Sequence, residues 1–272
     1  MISYRKLAMR VLGHSPVSAV KTARRSTGKR AAALALTAAL VVGMTLPAFA
    51  DTWFIEDGNI SISAGTNGNN VTQNGTTTEN DTNTVIKGNG SSNASSNTVT
   101  IDAGEGKTVD VTLDNVNINT SETGGAAVSV TGSGNTNIEL NGNNTLTSGY
   151  GHAGLEHNKT DDSGTLTIQD EKNDDSSAKG SASDTTGSLT ANGGGQGAGI
   201  GGSSNKDGQV TITGGEIIAN GGDGSAGIGG GYSGNGTVTI SGGTVTEASG
   251  GGEGAGTVSY THLRAHETLS DL

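Results

Sequence analysis

The sequence predicts an all-β chain, a parallel β-helix with glycine-rich corners that follows an N-terminal export signal. Three observations predict it. A glycine-rich unit recurs: Ala198-Gly-Ile-Gly-Gly202 returns as Ala226-Gly-Ile-Gly-Gly230 and begins again at Ala255-Gly256, offsets of 28 residues (198 to 226) and 29 (226 to 255). Between the copies, Val210-Thr-Ile-Thr-Gly-Gly-Glu-Ile217 matches Val238-Thr-Ile-Ser-Gly-Gly-Thr-Val245. Apolar residues elsewhere alternate with polar ones at period two, the mark of strands with one buried and one wet face.

The elements follow in order. Trp53-Phe-Ile55 and Ile60-Ser-Ile62 predict an opening strand within 51–96, a segment dominated by Asn, Thr and Gly. From Val99 onward, Val109/Val111/Leu113, Val116/Ile118, Val128/Val130, Ile138/Leu140, Leu166/Ile168, Val210/Ile212 and Val238/Ile240 predict short strands. Gly-Gly, Asn-Gly and Ser-Gly corners separate them, because glycine takes positive φ without a steric penalty. A 28-residue period then divides into three faces: Ala-Gly-Ile, Val-Thr-Ile, and Glu-Ile-Ile or Thr-Val-Thr. That is one coil of a three-sided β-helix over 97–256, with coils stacked about 4.8 Å apart. An earlier copy, Gly151-His-Ala-Gly-Leu155, precedes Thr165-Leu-Thr-Ile168. It lies 45 residues before the next (153 to 198), so the acidic, Ser-rich stretch from Asp170 to Thr186 is expected to loop out of a corner. No amphipathic helix is expected after the leader.

Residues 1–50 have the form of a signal peptide. Eight Lys and Arg precede an apolar run from Ala31 to Val42, and Ala48-Phe-Ala50 is a small-x-small cleavage pattern. The apolar run is short for a membrane span of about 20 residues. Residues 257–272 resemble something other than a protein family. Val258-Ser-Tyr-Thr-His-Leu-Arg-Ala-His-Glu-Thr268 looks like translated read-through of a transposase-type sequencing adapter, and the unit begun at Ala255 breaks off there. The protein is therefore expected to be a fragment that continues in nature. The last coil, left uncovered, is expected to fray or aggregate.

Between the two ends lie six Lys, no Arg and 24 Asp and Glu, a net charge of about −18 against −11 for the whole chain. Such acidity argues against nucleic acid and against anionic lipid as partners. With no cysteine, no disulfide framework supports the exported chain. Only Trp53, Phe54, Tyr150 and Tyr232 supply aromatic rings after the leader and before the tail, few for stacking on sugars.

No motif assigns chemistry. Gly197-Ala-Gly-Ile-Gly-Gly202 fits G-x-G-x-x-G on paper, but it recurs as a corner and lacks the helix a dinucleotide site needs. Gly221-Gly-Asp-Gly-Ser-Ala-Gly-Ile228 resembles a calcium nonapeptide with Ala226 where the ligand Asp belongs. Asp170, Glu171, Asp174 and Asp175 offer oxygens to calcium but read as a solvated acidic loop. His152 and His157 do not form a zinc motif, and a lone His beside a glycine corner is expected at the surface. No catalytic residue, metal ligand or cofactor is expected, and carbohydrate-binding residues stay unassigned. Paired carboxylates of a glycosidase are not excluded by count, whereas the missing Arg weakens a polysaccharide lyase.

Thr112-Leu-Asp-Asn-Val-Asn-Ile118, Ile138-Glu-Leu-Asn-Gly-Asn-Asn-Thr-Leu146, Gly151-His-Ala-Gly-Leu-Glu156 and the Ala-Gly-Ile-Gly-Gly units form a set. Over 97–256 this set resembles the exported carbohydrate-binding domain proteins of Gram-positive gut and clostridial-type bacteria. That family is similar to pectate lyases in its right-handed β-helix. The resemblance implies a secreted or surface-displayed polysaccharide-binding or adhesive module, with calcium as an option that no motif supports. A structural spacer and a β-helical lyase or hydrolase are the alternatives.

Overall fold

The computed structural model describes residues 51–170 and 187–257. Residues 1–50, expected to be an export signal, the acidic residues Glu171, Asp174 and Asp175, and the tail from Val258 lie outside the described residues.

Five three-stranded coils follow one another along the chain. They are β6 (Val99–Asp102), β7 (Thr108–Asp114), β8 (Asn117–Asn119); β9 (Val128–Thr131), β10 (Asn135–Asn141), β11 (Asn143–Thr147); β12 (Leu155–His157), β13 (Leu166–Gln169), β14 (Ser188–Asn192); β15 (Ile200–Gly201), β16 (Gly208–Ile212), β17 (Glu216–Asp223); and β18 (Ile228–Gly229), β19 (Gly236–Ile240), β20 (Thr244–Gly251). Each strand pairs in parallel with its counterparts in the coils before and after. The result is a parallel β-helix of about five turns whose three faces are an eight-, a seven- and a five-stranded sheet. The expected 45-residue step is present in the register, since Leu155 pairs with Ile200. The extra length lies between β13 and β14, where Gly187 N–H donates to Asp170 Oδ2 at 3.1 Å, so the chain leaves and re-enters at one corner.

Period-two alternation sends one residue in two inward, and the register stacks these into rows. Val111, Ile138, Ile168, Ile212 and Ile240 make one row on the second sheet. Val99, Val128, Leu155, Ile200 and Ile228 make another on the first. Each fully buried Ile or Leu contributes about 1.5–3 kcal/mol. A coil alone offers too few of these to offset the backbone entropy of its glycines, so stability is shared between neighbours.

Corner N–H groups that no ladder serves receive side-chain acceptors from the preceding coil. Asn115 Oδ1 accepts from Asn143 N, Asn135 Oδ1 from Thr165 N, Asn158 Oδ1 from Ser203 N, and Asp207 Oδ1 from Asn235 N. Asn115, Asn135 and Asn158 in the Asn-rich sequence thus tie successive coils together at their corners.

Two expectations are refined. The segment 51–96 holds five strands rather than one: β1 (Thr52–Phe54), β2 (Ile60–Ala64), β3 (Asn69–Gln73), β4 (Thr76–Asp81) and β5 (Thr84–Lys87). β2 joins the first sheet beside β6, and β3 and β4 extend that sheet antiparallel. Buried polar side chains hold the segment, which is why apolar periodicity misses it. Gln73 Nε2 donates to Phe54 O (2.8 Å) and Gly58 O (2.9 Å), Asn69 Nδ2 to Thr84 Oγ1 (2.9 Å) and Asp110 O (2.8 Å), and Trp53 Nε1 to Asp81 Oδ2 (3.1 Å). The second refinement concerns His157, expected at the surface. It is 2% exposed, because it continues the inward row of Ile101 and Val130. Its Nδ1–H donates to Gln209 O at 2.7 Å, and burial holds its pKa below the ordinary 6.5 despite that bond.

Candidate functional site

The outward side of the seven-stranded sheet carries a regular polar surface. Its central row runs Asp110, Asn137, Thr167, Thr211, Thr239, one residue per coil in register. Two residues earlier on the same strands, hence on the same side, stand Thr108, Asn135, Gln209 and Thr237, with Thr165 just before β13. From Asn137 onward neither row carries a charge, in a chain of net charge −11. Every position offers a hydroxyl or an amide, groups that both donate and accept. The coil spacing sets a repeat of about 4.8 Å along the strip.

Particular contacts position the strip's ends. Asn137 Nδ2 donates to Asp110 Oδ1 at 2.8 Å. Thr165 Oγ1 donates to Asn135 Oδ1 at 2.9 Å. Lys159 reaches over the later coils and donates from Nζ to Thr237 Oγ1 at 3.4 Å. At the N-terminal end the strip opens into a polar cleft of about 400 Å³ between the β2–β3 turn and β7, lined by Asn67, Asn69, Asp81, Lys107 and Asp110 among others. The flat strip suits an extended chain, and the cleft suits its end.

The residues singled out in the sequence do not gather. His152 Nδ1 lies 2.8 Å from Glu156 Oε2, and the same carboxylate accepts from Ala153 N (3.3 Å) and Asn158 Nδ2 (3.1 Å). Glu156 is therefore a corner tie with its acceptors occupied. His157 faces the core, away from that pair. Gly197–Gly202 and its repeat are corners whose Ile200 and Ile228 are short strands, with no helix following. Asp170 serves Gly187 N–H, and its acidic companions lie outside the described residues. Among the described residues no group of three or more His, Asp or Glu is placed to hold a metal ion.

The sequence reading missed the arrangement of two aromatic residues. Tyr150 and Tyr232 are 71% and 45% exposed, and both rings lie over glycine corners. The signal available in the sequence was their placement inside Gly-Tyr-Gly and Gly-Gly-Tyr, where nothing large surrounds a ring.

No protein-family model, curated protein or solved structure matches this chain.

Proposed function

We propose that the protein is an exported, surface-displayed, non-catalytic module that binds a neutral polysaccharide along the outward strip of its seven-stranded sheet. One observation carries the reading: from Asn137 to Thr239 the two outward rows present only hydroxyls and amides on a strongly acidic chain, with the neighbouring Glu139 buried and the Lys159 ammonium reaching in at Thr237. Sugar hydroxyls need paired donors and acceptors at fixed spacing, and a rigid solenoid supplies them without ordering cost. The basic leader and the Ala48-Phe-Ala50 site support export.

The test is affinity electrophoresis and a glycan array with the full chain, alongside assays for reducing sugar and unsaturated products. Retention by a neutral glycan without turnover is the expected result. Turnover overturns the non-catalytic reading, and no retention overturns binding. Asn137→Asp with Thr211→Asp puts charge on the strip and is expected to abolish retention while leaving the circular dichroism unchanged. Mass spectrometry of secreted protein is expected to find Asp51 as the first residue.

A further inference from the structure

We propose that Tyr150, Gln196 and Tyr232 form a stacking site for a single neutral pyranose ring, on the corner between the third and first sheets. The inference rests on the polysaccharide reading above and adds to it a second, discrete subsite away from the polar strip.

Three consecutive coils pass this corner in the same turn: Gly149–His152, Gly194–Gly197 and Gly222–Ser225. Each is closed by a bond from the fourth residue's N–H to the first residue's oxygen. The third position is left-handed in all three. It is Gly151 (φ 83°) in the first and Gly224 (φ 66°) in the third, but Gln196 (φ 73°) in the second. A type II turn demands positive φ there and favours glycine. Gln196 accepts backbone strain that its neighbours avoid, and such strain concentrates at functional positions.

What surrounds Gln196 gives the strain a use. The ring of Tyr150 packs on Gly195, where a Cβ would meet its Cδ2 and Cε2 at 2.9 Å. The ring of Tyr232 packs on Gly224, where a Cβ would meet its Cδ2 at 2.6 Å. The two floors belong to adjacent coils, so the rings sit one coil step apart along the solenoid, with Gln196 in the turn of the first floor. Backbone bonds lock the frame: Tyr232 N–H donates to Gln196 O at 3.0 Å, and Ser204 N–H donates to Gly151 O at 2.8 Å. Ser204 Oγ–H donates to Gln196 Oε1 at 3.1 Å, which orients the amide. Asn205 (φ 59°) and Ser233 (φ 57°) are also left-handed, so three of the six non-glycine residues with positive φ among the described residues lie in these loops.

Exposed tyrosines seated on backbone present large, rigid faces at low entropy cost. A pyranose has an apolar C–H face to lay on a ring and equatorial hydroxyls to meet the Gln196 amide and the Ser204 hydroxyl. Exposed Asp223, next to Gly224 in the third turn, adds an acceptor and disfavours an anionic sugar.

The experiment is calorimetric titration of the full chain with neutral hexasaccharides of glucan, xylan and mannan, and with hexagalacturonate. The variants are Tyr150→Ala, Tyr232→Ala, Gln196→Gly and the Asn137→Asp/Thr211→Asp pair. At least one neutral hexasaccharide is expected to bind and hexagalacturonate is not. Each tyrosine variant is expected to weaken binding about tenfold. Gln196→Gly is expected to weaken it several-fold while the Tm stays level or rises, a combination that a merely structural role would not produce. If a neutral glycan binds and only the strip variant weakens it, the tyrosine site falls and the polysaccharide reading stands. If nothing binds more tightly than about 1 mM, both fall.

Discussion

In the first two coils the third sheet turns Ile118 and Leu146 inward; in the last two it turns Ala219 and Ala248 inward at the same register positions. The residue before the first-sheet strand changes with them. It is Thr98 and Ala127 early, then Gly154, Gly199 and Gly227. The two changes have one cause. In the late coils the corner backbone packs directly on the third sheet: a Cβ on Gly199 would lie 2.5 Å from Gly227 O and 2.6 Å from Asn220 N, and one on Gly227 would lie 2.6 Å from Ser249 N. A small inward residue lets the corner close, and a closed corner admits only glycine. The early coils fill the same space with side chains. The solenoid therefore exchanges side-chain core for backbone contact along its length without changing register.

The strongest way to break this comparison is to swap the materials. Leu146→Ala is expected to cost about 3 kcal/mol, because the wider early coil cannot collapse onto the gap. Urea unfolding followed by circular dichroism measures it, and a loss below about 1 kcal/mol would show that the early coils close as the late ones do. Next in size is Gly199→Ala, expected to cost about 2 kcal/mol through contact with Gly227 O and Asn220 N. A neutral result in the same measurement would mean that the late corner yields, and the packing argument with it.

This exchange also explains what the sequence discloses. The late coils repeat visibly at 28 residues because backbone packing admits only glycine before the first-sheet strand, at Gly199 and Gly227, so Ala-Gly-Ile is visible as a phrase. The early coils use interchangeable side chains, so Val99 and Val128 are legible only as alternation. In the segment 51–96 the core residues Ile55, Ile60, Ile62, Val71 and Ile86 are interleaved with buried Asn69, Gln73 and Asp81, whose burial leaves no hydropathy signal. His157 follows the period-two phase set by Leu155, a clue outweighed by the habit of placing histidines outside. The polar strip was foreseeable as the wet side of the strands. The tyrosine corner was not, because Tyr150, Gln196 and Tyr232 come from separate coils and meet only when the 45- and 28-residue steps are superposed.

His157 sharpens the same contrast, since it is a titratable group in a row of hydrocarbon. Its folded pKa is lowered by burial, so the unfolded chain takes up its proton first as pH falls. The stability it permits is fully present above about pH 6.5 and is lost as pH falls through the lower, folded value. The slope is at most about 1.4 kcal/mol per pH unit for one proton. His157→Gln is expected to flatten the Tm profile between pH 6.5 and 5 relative to the intact protein. An unchanged profile would place the protonation elsewhere. Asn158→Ala removes the acceptor that Ser203 N (2.8 Å) and Ser203 Oγ (2.9 Å) share, and is expected to cost about 1 kcal/mol. Hydrogen exchange should accelerate at Ser203 before it does in the strands on either side.

The smallest effect has the opposite sign. Gly104 and Gly134 lie in successive corners after β6 and β9, one coil apart, the first of five residues and the second of three. A Cβ on Gly134 would lie 2.2 Å from Gly104 O and 2.5 Å from Lys107 O, whereas a Cβ on Gly104 would meet nothing within 4 Å. Neither has the positive φ that would strain an alanine. Gly104→Ala therefore only removes freedom from the unfolded chain, and is expected to add about 0.5 kcal/mol. Gly134→Ala gains the same entropy but must push two carbonyls apart, and is expected to be destabilising. The pair shares side-chain chemistry and unfolded state, so a difference in sign between their urea midpoints reports the contact between coils that only Gly134 makes. Equal shifts would mean that the corner glycines are retained for flexibility and that backbone packing does not govern the coil.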